Sequence, residues 1–442
     1  MEMLTNTYSH FIQHKHTHNF SVGVVAALLS KTVCMLSILL IVTYQLTYAQ
    51  TLEVRKTGPI QSIKKAIQLA QPHDTISIRE GIYLESEIII DKPLTIIGRN
   101  NPVIDGQLTG EIITIQADSV VLEGVTLQNV KTSAIKDYAA VRISRSKHCT
   151  IRNNHIKNAF FGIYLEKADS CRVQNNRIHS QAKMESTSGN GIHVWYCNTM
   201  LIEGNQVSGH RDGIYFEFVS GSKISGNTST LNLRYGLHFM FSNGNEYRKN
   251  HFIKNGSGVA VMYAKEIVME ENTFENNWGA AAYGILLKDI TDSRIEKNRF
   301  VQNTVGIHAE GTNRTLIQHN EFSQNGWALR MMGSCEDLRF ENNNFISNTF
   351  EVATSNNYTS SNTFTGNYWS SYTGYDLDKD GVGDVAHKPV KLFTYLMEDV
   401  PTSMVLIRSL FIDLLELAEK VAPVLTPTNV QDTQPSIHLN HW

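Results

Sequence analysis

Residues 243–264 read NGNEYRKNHFIKNGSGVAVMYA and hold one period of the pattern that organises this chain. Asn250 is followed two places later by the apolar Phe252 and eight places later by Gly258-Val259. The first signature recurs as NHI, NRI, NQV, NHF, NTF, NRF, NEF and NNF, with Asn at 154, 176, 205, 227, 250, 272, 298, 320, 343 and 362; most steps are 22 or 23 residues. The second recurs in the same phase as Gly162-Ile163, Gly191-Ile192, Gly213-Ile214, Gly236-Leu237, Gly284-Ile285 and Gly306-Ile307. Longer steps carry insertions, the largest being IHSQAKMESTSGN before Gly191 and a smaller one near Trp278.

Such a period is too short for a helix pair and carries no leucine-rich consensus, but it suits one turn of a right-handed parallel β-helix. The expected fold is therefore all-β, a solenoid over residues 50–370. Asn at a fixed turn tolerates left-handed backbone angles, and stacked Asn amides can form hydrogen-bonded ladders. Residues 59–70, PIQSIKKAIQLA, have helical apolar spacing and would cap the N-terminal end.

The register sorts the side chains. Three residues before each Asn stand Ile151, Val173, Ile202, Ile224, Tyr247, Met269, Ile295, Ile317 and Phe340, an inward column. In the strand after the Gly, the first and third residues are apolar, as in Leu237/Phe239 and Val259/Val261, and also point inward. The second and fourth then point outward. The second reads Tyr164, His193, Tyr215, His238, Ala260, Leu286, His308 and Arg330; the fourth reads Glu166, Trp195, Glu217, Met240, Met262, Lys288, Glu310 and Met332.

Adjacent coils lie about 4.8 Å apart, so Met240 and Met262 become neighbours with His238 beside them. Thioether and imidazole donors without carboxylates select a soft ion, and Cu(I) suits an exported protein. Met332 is a weaker further station. The same face serves equally as a docking patch for a partner protein, through Trp195, Tyr215, Glu217 and Lys288. His193 and His308 read as solvated. A polysaccharide lyase, hydrolase or epimerase is the enzymatic alternative, but it needs clustered carboxylates or a proton-abstracting base. Glu166 and Glu217 stand two coils apart with Trp195 between them, Lys288 and Glu310 are placed to pair, and SGHRDG (208–213) lacks a companion paired-Asp motif. No residue is assigned a catalytic role.

With 442 residues, 41% hydrophobic, and a net charge of -3, the chain has material for a large core and no basic surplus for nucleic acid. Residues 1–49 read as an export leader with an apolar run, Val33–Tyr48, cut after Ala49; the alternative is an uncleaved anchor. Cys149 and Cys171 fall five residues before their Asn and stack on the inward parity, as thiols or a disulfide.

Past the repeats, residues 371–390 form an Asp-rich cap loop in which Asp376, Asp378, Asp380 and Asp384 are candidate Ca2+ ligands, although His387 stands where a bidentate Glu would complete the loop. Residues 391–422 are expected as a helical docking segment, with Phe411, Leu414 and Leu415 on its apolar side and too many charges for a bilayer span. The tail, 423–442, reads as flexible.

YGLHFMFSN, VAVMY, YGILLKDI, NYWSSYTGYDLDKDGVGD and the following PVKLF run, in this order, resemble the NosD family. The resemblance covers most of residues 55–430. It implies a periplasmic, non-enzymatic accessory protein of denitrification that handles copper while the centres of nitrous oxide reductase mature. The implied partners are the membrane subunits of an ABC transporter, a copper chaperone lipoprotein and the reductase, with membrane association through the partner. It makes His238, Met240 and Met262 candidates for the copper-handling face and 391–422 the candidate transporter contact.

Overall fold

The computed structural model describes residues 49–354, 361–407, 409–421 and 430–442. The expected export leader, residues 1–49, lies outside them apart from Ala49.

Each coil contributes three short strands, and the strands stack in register into three parallel sheets of 14, 13 and 12 strands. The right-handed parallel β-helix expected from the period is thus the observed fold. Its interior is built from repeated like-on-like contacts. Phe252, Phe274, Phe300, Phe322, Phe345 and Trp369 stack ring on ring up the core, with centroids 4.1–5.4 Å apart. Ile151, Val173, Ile202, Ile224, Tyr247 and Met269 form a second buried column, as the spacing requires.

The repeating Asn is a structural rung. Asn250 donates from Nδ2 to the carbonyl of Ile224 at 2.8 Å and to Oδ1 of Asn272 at 3.0 Å, while its own Oδ1 accepts from the backbone N–H and Nδ2 of Asn227. The same arrangement runs from Asn154 to Asn343 and then passes to Asn367 rather than to Asn362. Asn362 instead supports Leu338 and Cys335 at another corner. The left-handed backbone falls on the residue before each rung, as at Asn153, Asn175, Gly204, Lys249 and Glu271, so the rung residue is chosen for its amide and not for its φ. A second ladder, Asn232, Asn255, Asn277, Asn303, Asn325 and Asn348, runs parallel to the first. Its members follow the first by five residues, a spacing that was open to view in the sequence.

Both ends are closed. Strand Thr51–Val54 pairs with Thr75–Ile78, and helix α1 (Ile63–Leu69) buries Ile63, Ala66 and Ile67 against the first coils. At the other end, residues 430–442 dock where a flexible tail was expected. Asp432 Oδ2 accepts from the backbone N–H and Nδ2 of Asn367 and from Nε1 of Trp369 at 2.9–3.1 Å, and so takes the place of the next rung. Asn440 continues the closure through paired bonds to Asn344. The polar residues that suggested mobility are the groups that satisfy the last coil's open edge.

The segment 391–422 is helical in two pieces, α2 (Leu392–Asp399) and α3 (Leu410–Val421), joined through a short 3-10 turn. Phe393, Met397, Ile407, Ile412 and Leu415 pack on the outer side of the third sheet against Tyr283, Val305, Trp327, Phe350 and Ala353. Leu415 is therefore a packing residue of the chain itself and not a free contact. Leu410, Phe411, Leu414, Leu417 and Val421 form the opposite, exposed stripe.

Candidate functional site

The outward face of the third sheet keeps the register read from the sequence: Met240 pairs with Met262 and His238 with Ala260, and one coil earlier Tyr215 pairs with His238 and Glu217 with Met240. The glycine before each strand adds a feature that simple alternation does not show. A Cβ on Gly236 would lie 2.7 Å from the carbonyl of Gly258 and 2.9 Å from the Phe252 ring, so the glycine faces inward against packed atoms. Strand pairing skips it, running from Tyr235 to Leu237. The residue before the glycine is thereby turned to the outside, and Tyr235 meets His238 ring to ring at 4.9 Å. Asp212 holds the same place one coil earlier.

The consequence is a second, external layer of packing. Tyr164, His193, Tyr215 and His238 point away from the solenoid interior, yet all are buried. Arg142 caps the stack over Tyr164, and the rings of Tyr164, His193, Tyr215 and His238 follow at 4.3, 4.8 and 5.0 Å. The expectation that His193 is solvated fails, because Asn190 donates to its Nδ1 at 2.9 Å and burial pushes its pKa down to about 3. His308 is likewise depressed, to about 4, chiefly by burial. Burial also pushes Tyr164 and Tyr215 up to about 12, so Tyr215 is a packed ring and not an open partner contact.

His238 is only 4% exposed and sits in a polar pocket. Asp212, fully buried, accepts a two-pronged contact from Arg234, at 3.0 Å from Nε and 2.8 Å from Nη2. Although burial pushes the other way, the Arg234 guanidinium holds the Asp212 carboxyl below its ordinary range. Arg234 Nη2 also lies 3.2 Å from His238 Nδ1. His238 Nε2 is buried without a hydrogen-bond partner. Leaving such a group unsatisfied costs on the order of 1–3 kcal/mol. Met240 and Met262 are half-buried beside it.

Beyond the methionines the chain turns at a left-handed residue, and in four successive coils that residue is aromatic: Tyr196, Phe218, Phe241 and Tyr263. Their rings stack at 4.5, 5.2 and 5.1 Å and remain 38–47% exposed. A non-glycine residue held in this region costs on the order of 1 kcal/mol. Later coils place Gly311 and Gly333 at the corresponding turn, so the aromatics are not demanded by the backbone. Sequence reasoning passed over this stripe, whose only signal was an aromatic immediately after the second outward residue of each of these four strands.

Among the other candidates, Trp195 is half-buried under Lys167, and Lys288 pairs with Glu310 at 3.5 Å as its register implied. Met332 pairs with Glu310, which separates it, with Lys288, from Met262. The structure does not bring Met332 to the His238 cluster. In the Asp-rich loop, the carboxylates of Asp376, Asp378 and Asp380 lie within 4.8 Å of one another, a spacing that suits a hard cation such as Ca2+, and Asp380 pushes the Asp378 carboxyl upward. Asp384 is not part of that group and instead accepts from the Leu377 N–H. Cys149 and Cys171 are buried free thiols.

The fold resembles solved β-helices at low identity. The catalytic domain of a GH87 α-1,3-glucanase matches at a TM-score of 0.58 with 12% identity, over 73% of this chain and 69% of that one. The Streptococcus pneumoniae adhesin PfbA matches at 0.51 with 12% identity, over 69% and 100%. A glucanase and an adhesin on one scaffold establish the architecture and leave the chemistry open.

Sequence relatives narrow it. A family model described as right handed beta helix region matches residues 79–183, and one described as periplasmic copper-binding protein (NosD) matches residues 174–374. The probable ABC transporter binding protein NosD of Pseudomonas aeruginosa is 28% identical over 426 residues, covering 88% of this chain and 97% of that protein. The protein of the same description from Stutzerimonas stutzeri is 28% identical over 379 residues, 80% and 85%. The chain is similar to the NosD family over most of its length. The NosD match spans every coil from Trp195 to Met332, and so takes in His238, Met240, Met262 and the stacked aromatic stripe. The family is described as periplasmic and copper-binding, and no helix among the described residues is long and apolar enough to cross a membrane.

Two buried histidines, His193 in this outer layer and His210 beside the second Asn ladder, make stability pH-dependent. Burial pushes His193 and His210 down to about 3, whereas an imidazole in the unfolded chain titrates near 6.5. The unfolded chain therefore binds more protons throughout that interval. Stability is complete above pH 6.5 and falls as the pH drops toward 3, by roughly 1.4 kcal/mol per unit per histidine. Denaturant titrations at pH 7.5 and pH 5.0 are expected to differ by several kcal/mol, and a His193→Asn, His210→Asn variant to show a flatter decline. Equal slopes in both proteins would refute the assignment.

Proposed function

We propose that this chain is a non-catalytic copper-handling protein that receives Cu(I) at His238, Met240 and Met262 and works beside an ABC transporter in maturing the copper centres of nitrous oxide reductase. The observation that carries the reading is the orphaned Nε2 of His238, buried beside two half-exposed thioethers on adjacent strands. One imidazole and two thioethers form a neutral, soft donor set, which favours Cu(I) over the harder divalent ions. The copper is cargo, so the site needs only enough affinity to accept an ion and release it.

Two further features support the wider role. The stacked Tyr196, Phe218, Phe241 and Tyr263 stripe lies along the methionine column and offers a rigid apolar edge to a protein that delivers or takes copper. The exposed stripe Leu410, Phe411, Leu414, Leu417 and Val421 has the spacing of a helix laid against another helix, as contact with transporter membrane subunits would require. Two of the carboxylates on the outer face are in ion pairs, Glu166 with Arg142 and Glu310 with Lys288, which leaves Glu217 without a second free carboxylate in its column for the acid–base work of a carbohydrate enzyme.

The test is anaerobic titration of the purified chain with Cu(I) against a competing chelator. Wild type is expected to bind one ion at this site, and His238→Ala with Met240→Ala to lose it. A double variant that titrates like wild type would overturn the assignment.

A further inference from the structure

The hydrogen-bond roles around His238 are fixed by chemistry. Arg234 carries only donors, so its Nη2, 3.2 Å from His238 Nδ1, obliges that nitrogen to offer its lone pair. The ring proton then resides on Nε2, the nitrogen that is buried without a partner. In this tautomer His238 has no lone pair to give a metal. The same pocket holds the means of changing that. Asp212 Oδ2 lies 3.9 Å from Nδ1, within reach after a small ring movement, and Arg234 grips Asp212 through two bonds that do not involve the histidine.

We infer that Asp212 is the positioning residue of the copper site and that Arg234 and Asp212 together form a tautomer switch on His238. As Cu(I) takes the Nε2 lone pair, the proton leaves Nε2 and one is taken up at Nδ1, exchanged through water, so that no net charge moves and nothing is oxidised or reduced. Nδ1–H then donates to Asp212 Oδ2. Only the contact from Arg234 Nη2 to Nδ1 is given up; the guanidinium stays on the carboxylate. Release of the ion runs the same steps backward, and Arg234 recovers its acceptor. A carboxylate behind a metal-bound histidine orients the ring and raises its basicity, and losing such a partner typically costs 10–100-fold in metal affinity. Here the empty state is also supported, by Arg234, which suits a site that must release its ion. Tyr215 and Tyr235 flank the ring at 5.0 and 4.9 Å.

This inference rests on the copper reading above, and its experiment separates the two. In full-length protein labelled with 15N-histidine, the His238 ring resonances are expected to report an Nε2–H tautomer before Cu(I) is added and an Nδ1–H tautomer afterwards. Asp212→Asn is expected to bind Cu(I) 10–100-fold more weakly with the switch blurred. Arg234→Lys, a point donor in place of a fork, should bind Cu(I) more tightly relative to wild type as the empty state loses its support. Copper bound with the ring tautomer unchanged, or Asp212→Asn binding as tightly as wild type while His238→Ala does not bind, would overturn the switch and leave the site standing. Wild type that fails to bind Cu(I) would overturn both. If Asp212→Asn does not fold, the tautomer measurement on wild type decides alone.

Discussion

Asn250→Ala is expected to be among the most destabilising single substitutions in the solenoid, at about 3–5 kcal/mol. The side chain it removes is a bridge between three coils. Without it the backbone N–H and one amide hydrogen of Asn227 lose their acceptor, and the carbonyl of Ile224 loses its donor. These groups are enclosed at zero exposure for Asn227 and Asn250, and an alanine leaves water little room to replace the amide. Each orphaned group costs on the order of 1–3 kcal/mol. The exposed Lys254→Ala, four residues away, serves as the control. Because solenoid stability is a sum of coil and interface terms, the loss should appear first as faster hydrogen exchange in strands Lys223–Ser225 and Glu246–Arg248. A loss below 1 kcal/mol would show that the ladder is tolerated but not needed.

The second large effect is expected at the other end of the same ladder. Asp432→Ala removes an acceptor shared by the N–H and Nδ2 of Asn367 and the indole N–H of Trp369. Trp369 closes the interior aromatic stack over Phe345 at 4.1 Å, so the damage is not confined to the tail. We expect strands Asn344–Ile346 and Thr363–Thr365 to lose protection by 100-fold or more, roughly 3 kcal/mol of local stability, while strands near Asn205 change little. Asp432→Asn, which keeps one acceptor oxygen, should recover much of it. Unchanged exchange in the last coils of the alanine variant would mean that residues 430–442 rest on the solenoid without holding it.

The parts of the molecule that repeat were legible and the parts that close it were not. The period of Asn and Gly placed His238 over Ala260 and Met240 over Met262, because in a stacked coil the register is set by spacing alone. What spacing could not give was burial on the outer face. Alternation told inside from outside, but Tyr164, His193, Tyr215 and His238 are outside and covered, since the inward glycine turns Tyr235 and its counterparts onto the same face. Asp212 and Arg234 were therefore passed over, although they surround the His238 ring. The tail was misread because it is polar, and the docking of residues 430–442 is largely polar: Asp432, Ser436 and Asn440 bond to backbone groups of Asn367 and Gly366.

The position of Asp432 in the chain also sets an order of assembly. A ribosome supplies α1 and the first coil early, and each later coil can be added to a finished template. The final edge has no cover until residue 432 has been made. A product cut short before that point presents an unpaired strand edge, a surface that invites another copy to add on. Chains that stop before residue 432 should therefore aggregate and be degraded rather than persist as smaller solenoids.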